Sequence, residues 1–333
     1  MSAPAPSMYS DAAKQTASRL GLKLGRANLE VFADTLLELA SADGSVVAVT
    51  SDSRGSGKLA PYGKALPDQI VEVGIAEQNL VGIAAGLASV GKTVFAVSPA
   101  CFLTARSFEQ IKNDVAYSDN PVTLVGISAG VSYGALGTTH HSLHDFAALR
   151  AVNNVTIVAP ADNLEAREAV RATAKLGSPA YLRFGKAPLY DLPAAAPFAL
   201  GSARLVRPGD EAAFIASGET VIHALLAAAH LEDTAGLQCR VLDLPTIKPL
   251  DTAAILGAAA ECDAIVTVEE HMVNGGLGEA CAAVLAQAGL VPRFRITGIP
   301  DEYTVTGSQA DIFRHYGISM EGLAGTMREL LGA

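Results

Sequence analysis

What most limits the folds open to this chain is an alternation. Short, continuous runs of apolar and β-branched residues recur at 46-VVAVT-50, 93-TVFAV-97, 122-VTLVGI-127, 156-TIV-158 and 180-AYLR-183. Between them lie stretches of helical length and spacing, at 27–42, 77–91, 105–119 and 163–177. A strand that is apolar on both faces must be covered on both. Helices lying between such strands supply the cover, so the pattern predicts a mostly parallel, doubly wound sheet. A second set follows, with strands at 211–217, 239–244, 264–270 and 293–299 and helices at 220–231, from about 252, and at 278–288. The expectation is an α/β protein of two doubly wound, mostly parallel-sheet domains, over 19–186 and 201–333. Residues 187–200, with Pro188, Pro193 and Pro197 and no periodicity, read as a linker. Residues 1–18 read as a flexible leader.

Bulk properties exclude whole classes of function. A net charge of −10 without any basic run argues against nucleic acid as a partner. No apolar run reaches the roughly 20 residues of a membrane span. The first residues lack the basic and then apolar pattern of a secretory signal. Cys101, Cys239, Cys262 and Cys281 are scattered without CxxC spacing, so neither a disulfide framework nor a zinc site is implied. The reading is a cytoplasmic protein that engages neither membrane nor nucleic acid and holds no metal of its own.

Within that frame, 71-VEVGIAEQNLVGIAAGLASVGK-92 poses a question. Glu77 sits in a run that is otherwise almost entirely small and apolar, where an acid costs free energy unless paired or protonated. It can be an ordinary first-turn glutamate complementing the helix macrodipole, or a group kept there for its proton. Gly82, Ala85, Gly86 and Ala88 follow at helical spacing and allow another backbone to approach closely. Further on, 128-SAGVSYGALGTTHHSLHD-145 clusters His140, His141 and His144 in a Gly-rich stretch. Asp145 is the one carboxylate near them, which leaves a metal reading weak. Arg183 and Lys186 fall at the carboxyl end of a predicted strand, where open α/β sheets bind ligands, and arginine suits a two-pronged grip on phosphate. Glu269, Glu270 and His271, in 266-VTVEEHMVNGGLG-278, could pass for a reactive cluster; a strand end, turn and helix start at a packing interface is the better reading.

The stretch VGIAEQNLVGIAAGLA resembles the signature of the pyrimidine-binding domain of transketolases and deoxyxylulose-phosphate synthases, and the resemblance runs from about residue 20 to the end. In that family the glutamate matching Glu77 hydrogen-bonds the aminopyrimidine of thiamine diphosphate, so the resemblance makes Glu77 both a cofactor ligand and catalytic. It also implies that Phe102 and Phe108 flank the cofactor ring, with plain core packing the competing reading for Phe108. Arg106 matches a common arginine of the family. His140 aligns with a histidine that reaches substrate oxygens and shuttles protons, with His141 a second candidate. Arg26, Ser56 and, with the strand-end argument, Arg183 and Lys186 become phosphate or substrate contacts.

Three positions depart from the family. Ser128 stands where a histidine is usual, Leu136 where an aspartate is usual, and Pro99 where many relatives have an aromatic residue. Leu136 takes away an acceptor for a sugar hydroxyl. That points away from ordinary pentose phosphates and toward an altered ketose phosphate such as apulose 4-phosphate. The family's Gly-Asp-Gly…Asn element, which holds Mg²⁺ on the diphosphate, has no counterpart; Gly209-Asp210 is followed by Glu211. The chain thus resembles the C-terminal subunit of a split transketolase. An N-terminal subunit would bring Mg²⁺ and the diphosphate site, in an α2β2 assembly acting on phosphorylated sugars. A deoxyxylulose-phosphate synthase-like subunit, a 2-oxo-acid dehydrogenase β-type subunit and a non-catalytic partner are the alternatives.

Overall fold

The computed structural model describes residues 7–193 and 197–332. Helix α1 (Asp11–Arg19), strand β1 (Leu24–Ala27) and helix α2 (Asn28–Ala42) lead into β2 (Val46–Thr50), α3 (Ala60–Ala65), β3 (Ile70–Glu72), α4 (Glu77–Ser89), β4 (Thr93–Pro99) and α5 (Ala100–Arg106). Next come α6 (Phe108–Gln110), β5 (Val122–Ile127), α7 (Asp145–Arg150), β6 (Thr156–Val158), α8 (Asn163–Thr173), β7 (Ala180–Phe184) and β8 (Pro188–Tyr190). The second half holds β9 (Arg204–Arg207), β10 (Ala212–Ala216), α9 (Val221–Ala235), β11 (Cys239–Asp243), β12 (Thr246–Lys248), α10 (Thr252–Glu261), β13 (Ala264–Met272), α11 (Leu277–Gln287), β14 (Arg293–Ile299), α12 (Gln309–His315) and α13 (Met320–Leu331).

The apolar runs do what their composition requires. Every residue of β2, β5, β7 and β10 is buried. The first sheet has seven strands in the order β12-β6-β7-β5-β4-β2-β3, the second five in the order β14-β13-β10-β11-β9. All pairings within these two sheets are parallel except those of the edge strands β12 with β6 and β9 with β11. Alternate residues of β4 serve opposite faces, as the strand period demands. Phe95 and Val97 meet Phe32 and Leu36 of α2 and Val170 of α8, whereas Val94 and Ala96 meet Leu80 and Ala84 of α4. This second core runs on through Leu149 and Ile157 to Ala213, Ile215 and Ile255 of the second half, so the two sheets share one continuous apolar interior.

Four expectations need correction. The leader is helical from Asp11: the Ser10 hydroxyl caps α1 by accepting from the Ala13 N–H at 3.0 Å. Buried Ala13 and Ala17 seat the helix on α9. Residues 1–6 lie outside the described residues, as do 194–196 of the linker. The linker's start is strand β8, paired antiparallel with β1. Residues 246–248, between the strand expected over 239–244 and the helix expected from about 252, form a further strand that pairs with β6 and so ties the second half of the chain to the first sheet. The helix expected over 105–119 is interrupted after Arg106 and continues as a π-helix over Ile111–Tyr117. Thr104 and Ser107 donate back to the carbonyls of Ala100 and Leu103, at 2.7 and 2.5 Å, and such back-bonding bends helices. No helix among the described residues is long and apolar enough to cross a membrane.

Candidate active site

The site grows from the start of α4. Gly74, at φ +72°, turns the chain after β3 and brings Glu77 into the first turn of α4, where the helix dipole favours a carboxylate. Glu77 is 5% exposed, yet it is not alone. Arg106, the last residue of α5, donates from Nη1 to Oε1 at 2.9 Å and to Oε2 at 3.1 Å. The guanidinium also lies 4.1 Å above the ring of Phe102, one turn earlier on the same helix. Arg106 therefore stands between two openings. A cleft of about 550 Å3 contains Glu77, Ile75 and Asn79, and one of about 320 Å3 contains Phe102, His144, Met272 and Glu302.

From Phe102 the contacts continue. The ring of His140 meets Phe102 edge-on at 5.3 Å and Tyr133 at 5.4 Å, and the Lys186 ammonium sits 4.4 Å over Tyr133. Packing around Lys186 and the nearby Lys58 ammonium together lower the Lys186 pKa. Lys58 and Arg26 share Glu30, at 3.4 Å each, and Arg26 also reaches Asp34 at 2.7 Å. Ser56 belongs to the same loop as Lys58, with its hydroxyl donating to the Ser53 carbonyl at 3.3 Å. Gly57 brings that loop down on Val97 and Ile127, at the carboxyl ends of β4 and β5. One line of side chains thus leads from an acid, through an aromatic ring and an imidazole, to exposed cations. Tyr133 and Lys58 were missed in the sequence, where a tyrosine between glycines and a lysine ending a loop carry no signal of their own.

Of the residues expected in the site, Arg183 and Phe108 lie elsewhere, and His141 is at its border with its ring already engaged. Arg183 is buried, and its donors are spent inside. Nε bonds Asp145 Oδ2 at 2.9 Å, Nη2 bonds the carbonyls of Ser142 and Glu270 at 3.2 and 2.7 Å, and Nη1 faces Glu270 Oε2 at 3.7 Å. It cannot hold a substrate phosphate without breaking that set. His141 is buried with both ring nitrogens engaged, by Thr304 Oγ1 at 2.7 Å and the Gly134 carbonyl at 3.0 Å, and burial lowers its pKa. It supports the turn with neither ring nitrogen free, at the border of the cleft that contains Phe102. Phe108 packs at the edge of the shared core and lines a separate hollow beside Lys112 and Tyr117. Glu269, Glu270 and His271 are interior as well. Glu269 accepts from the N–H groups of Leu277 and Gly278, at 2.7 and 2.9 Å, at the start of α11. Burial holds His271 neutral, its pKa pushed down to about 4, and its ring stacks on Phe146.

Two family descriptions match along most of the chain: the transketolase pyrimidine-binding domain over residues 25–190 and the transketolase C-terminal domain over residues 201–323. One subunit of an apulose-4-phosphate transketolase from Phocaeicola vulgatus is 49% identical over 302 residues, spanning 90% of this chain and 96% of the relative. A 6-deoxy-6-sulfo-D-fructose transketolase subunit from a Clostridium species is 32% identical, spanning 90% of this chain and 93% of the relative. Among solved structures, a split-gene transketolase in the form of an inactive β4 tetramer superposes with a TM-score of 0.82 at 32% identity, covering 92% of this chain and 99% of the other. Both sheets fall within the matched domains, and the chain belongs to the thiamine-diphosphate-dependent transketolase family, as the part made of the pyrimidine-binding and C-terminal domains.

Proposed function

We propose that this chain is one subunit of a two-subunit transketolase that moves a two-carbon ketol unit from a ketose phosphate to an aldose phosphate. The observation that carries the reading is buried Glu77 opening on the same cleft as Ile75, which is 74% exposed. A carboxyl group beside an uncovered apolar side chain, with an aromatic ring just beyond Arg106, fits the aminopyrimidine of thiamine diphosphate. When bound, that cofactor supplies the carbon nucleophile and the electron sink for two-carbon transfer. Glu77 would orient the ring and keep a proton at its nitrogen. Arg106 must then release at least one of the two carboxylate oxygens it now holds. His140 would bond substrate oxygens and move a proton during cleavage. Lys186, with Lys58 and Arg26 further along, would take the phosphate.

Mg²⁺ and the diphosphate are assigned to a separate N-terminal subunit, in an α2β2 complex. The similar β4 assembly is described as inactive, which is what a chain needing such a partner would give. Exposed Gly82 and Gly86 on α4, with nothing beyond the helix itself within 4 Å of where a Cβ would stand, leave room for a second helix at a two-fold interface. Leu136, 52% exposed, offers a hydroxyl no partner, and the Phocaeicola relative is named for apulose 4-phosphate. A ketose phosphate of that kind is therefore the substrate expected here. The four cysteines, all free and buried, suit the cytoplasm.

The test is to purify the chain with its N-terminal partner, thiamine diphosphate and Mg²⁺, and to assay transfer from apulose 4-phosphate against pyruvate as donor. Glu77→Gln should lower turnover on the order of a hundredfold or more while leaving the complex intact. Turnover with pyruvate alone, or a Glu77→Gln enzyme as active as wild type, would sink the reading.

A further inference from the structure

We propose that Thr304, in the second half of the chain, is a positioning residue for the turn that presents His140, so that one domain sets the substrate-facing imidazole of the other. The proposal rests on the reading of the site given above. The turn runs over Gly137–His141, closed by bonds from the His140 and His141 N–H groups to the Gly137 carbonyl at 2.9 and 3.1 Å. Thr304 is buried at its back. Its hydroxyl lies 3.0 Å from Thr138 Oγ1 and 2.7 Å from His141 Nδ1, and its N–H donates to Thr138 Oγ1 at 3.1 Å.

The directions of these bonds follow from one another. The Gly134 carbonyl can only accept, so His141 Nε2 carries the proton. Neutral His141 must then accept at Nδ1, and burial keeps it neutral. The Thr304 hydroxyl therefore donates to His141. It accepts from Thr138, whose own oxygen accepts from the Thr304 N–H. Each hydrogen has one place to go, and the two threonines form a reciprocal bracket.

Two glycines let the strands of this bracket close. A Cβ at Gly134 would lie 2.5 Å from the Gly307 carbonyl oxygen, and one at Gly137 2.9 Å from Thr306 Cγ2. Thr138, Thr304 and His141 all border the cleft that contains Phe102. The His140 ring, one residue from the bracketed His141, is the one packed on Phe102 and Tyr133. Loosening the bracket would let that ring leave its contacts without disturbing either sheet.

Thr304→Val keeps the shape and removes the hydroxyl; Thr304→Ser keeps the hydroxyl. Thr138→Val cuts the bracket from the other side and guards against a fault peculiar to one variant. In the assembled enzyme, with apulose 4-phosphate as ketose and a triose phosphate aldehyde as acceptor, Thr304→Val should lower kcat/KM on the order of ten- to a hundredfold, mostly through KM. Thr304→Ser should stay within about threefold of wild type, because the hydroxyl is what orients the turn. In the full chain alone, amide exchange over 138–142 should quicken in both valine variants and not in the serine variant. Unchanged kcat/KM in an active Thr304→Val enzyme overturns the proposal, with or without faster exchange. So does a loss that serine fails to rescue. A wild-type complex with no sugar-phosphate turnover overturns the functional reading and the positioning role with it, and the exchange data then report on the bracket separately.

Discussion

Arg106 shows how a single residue settles a question that sequence can only raise. Glu77 looks solitary because its partner lies 29 positions away on another helix. The pair lies at the mouth of the cleft, where a ligand can exchange with it. The pair is asymmetric: Glu77 is 5% exposed and the Arg106 side chain 48%. Its worth should fall between a surface pair, near zero to 1 kcal/mol, and the breaking of a buried one, about 3–5 kcal/mol. Arg106→Met is expected to destabilise the chain by about 1–2 kcal/mol in urea unfolding, with most of that recovered when Glu77→Gln is added. An additive double variant would mean that the two side chains do not depend on each other. Arg183 and Lys186 teach the complementary lesson. Both are basic and end the same strand, and sequence assigns both to phosphate. Arg183 is still within β7 and points into the interior on Asp145, while Lys186 has left the strand and is exposed. The difference is where the pleat stops, which composition does not mark.

At the scale of elements, the long buried strands and their helices were legible because burial on both faces leaves an unbroken apolar signature. Several of the elements that escaped notice depend largely on tertiary contact. β12 has three residues and exists because β6 offers an edge; β1 and β8 pair with each other, and Asn163 of α8 bonds the Arg26 N–H and carbonyl of β1. Helix α1 is the clearest case. Its sequence, DAAKQTASR, has a weak apolar face of small residues. What holds it is Ser10 at its start, Arg19 paired with Asp233 at its end, and Tyr9 packed at a tilt on Tyr190 and stacked on His223. The Ser10 hydroxyl also donates to Glu321 on α13. Ser10→Ala therefore removes a cap and a tether. The expected cost is about 1 kcal/mol, felt within α1. Amides over 14–20 should exchange faster while those of β2, β4 and β5 keep their protection. Equal acceleration throughout the chain would show that α1 is part of the cooperative core and not a strap laid on it.

Across the whole molecule, what joins the two halves is polar as well as apolar. Gln309 at the start of α12 donates to Glu219 Oε2 at 3.1 Å and to Glu270 Oε1 at 2.8 Å, and the Val131 N–H also donates to Glu270 Oε1 at 2.9 Å. Arg183 faces this pair from β7, Asp145 from the start of α7, and Tyr9 from the N-terminal side. Gly130 and Gly185 are glycines here because a Cβ would strike Glu270 and Glu219. Burial, and then mutual repulsion, raise the pKa of Glu219; burial raises that of Glu270 against the pull of Arg183. Two acids so placed share a proton more readily than they ionise together. Folding thus increases the pair's affinity for a proton. The stability linked to that proton is complete below the unfolded carboxylate value of 4.5 and is lost as the pH rises toward about 8. His223 and His271, both buried and neutral with pKa values near 4, act in the opposite sense, costing stability as the pH falls below 6.5. The raw curve therefore mixes signs, and the comparison with Glu219→Gln separates them, because the amide keeps the acceptor for Gln309 and cannot ionise. Between about pH 5 and pH 8 wild type should lose on the order of 1–3 kcal/mol more than the variant in urea unfolding. Parallel curves would mean that the pair ionises without penalty, and its proton would then contribute nothing to the contact between the halves.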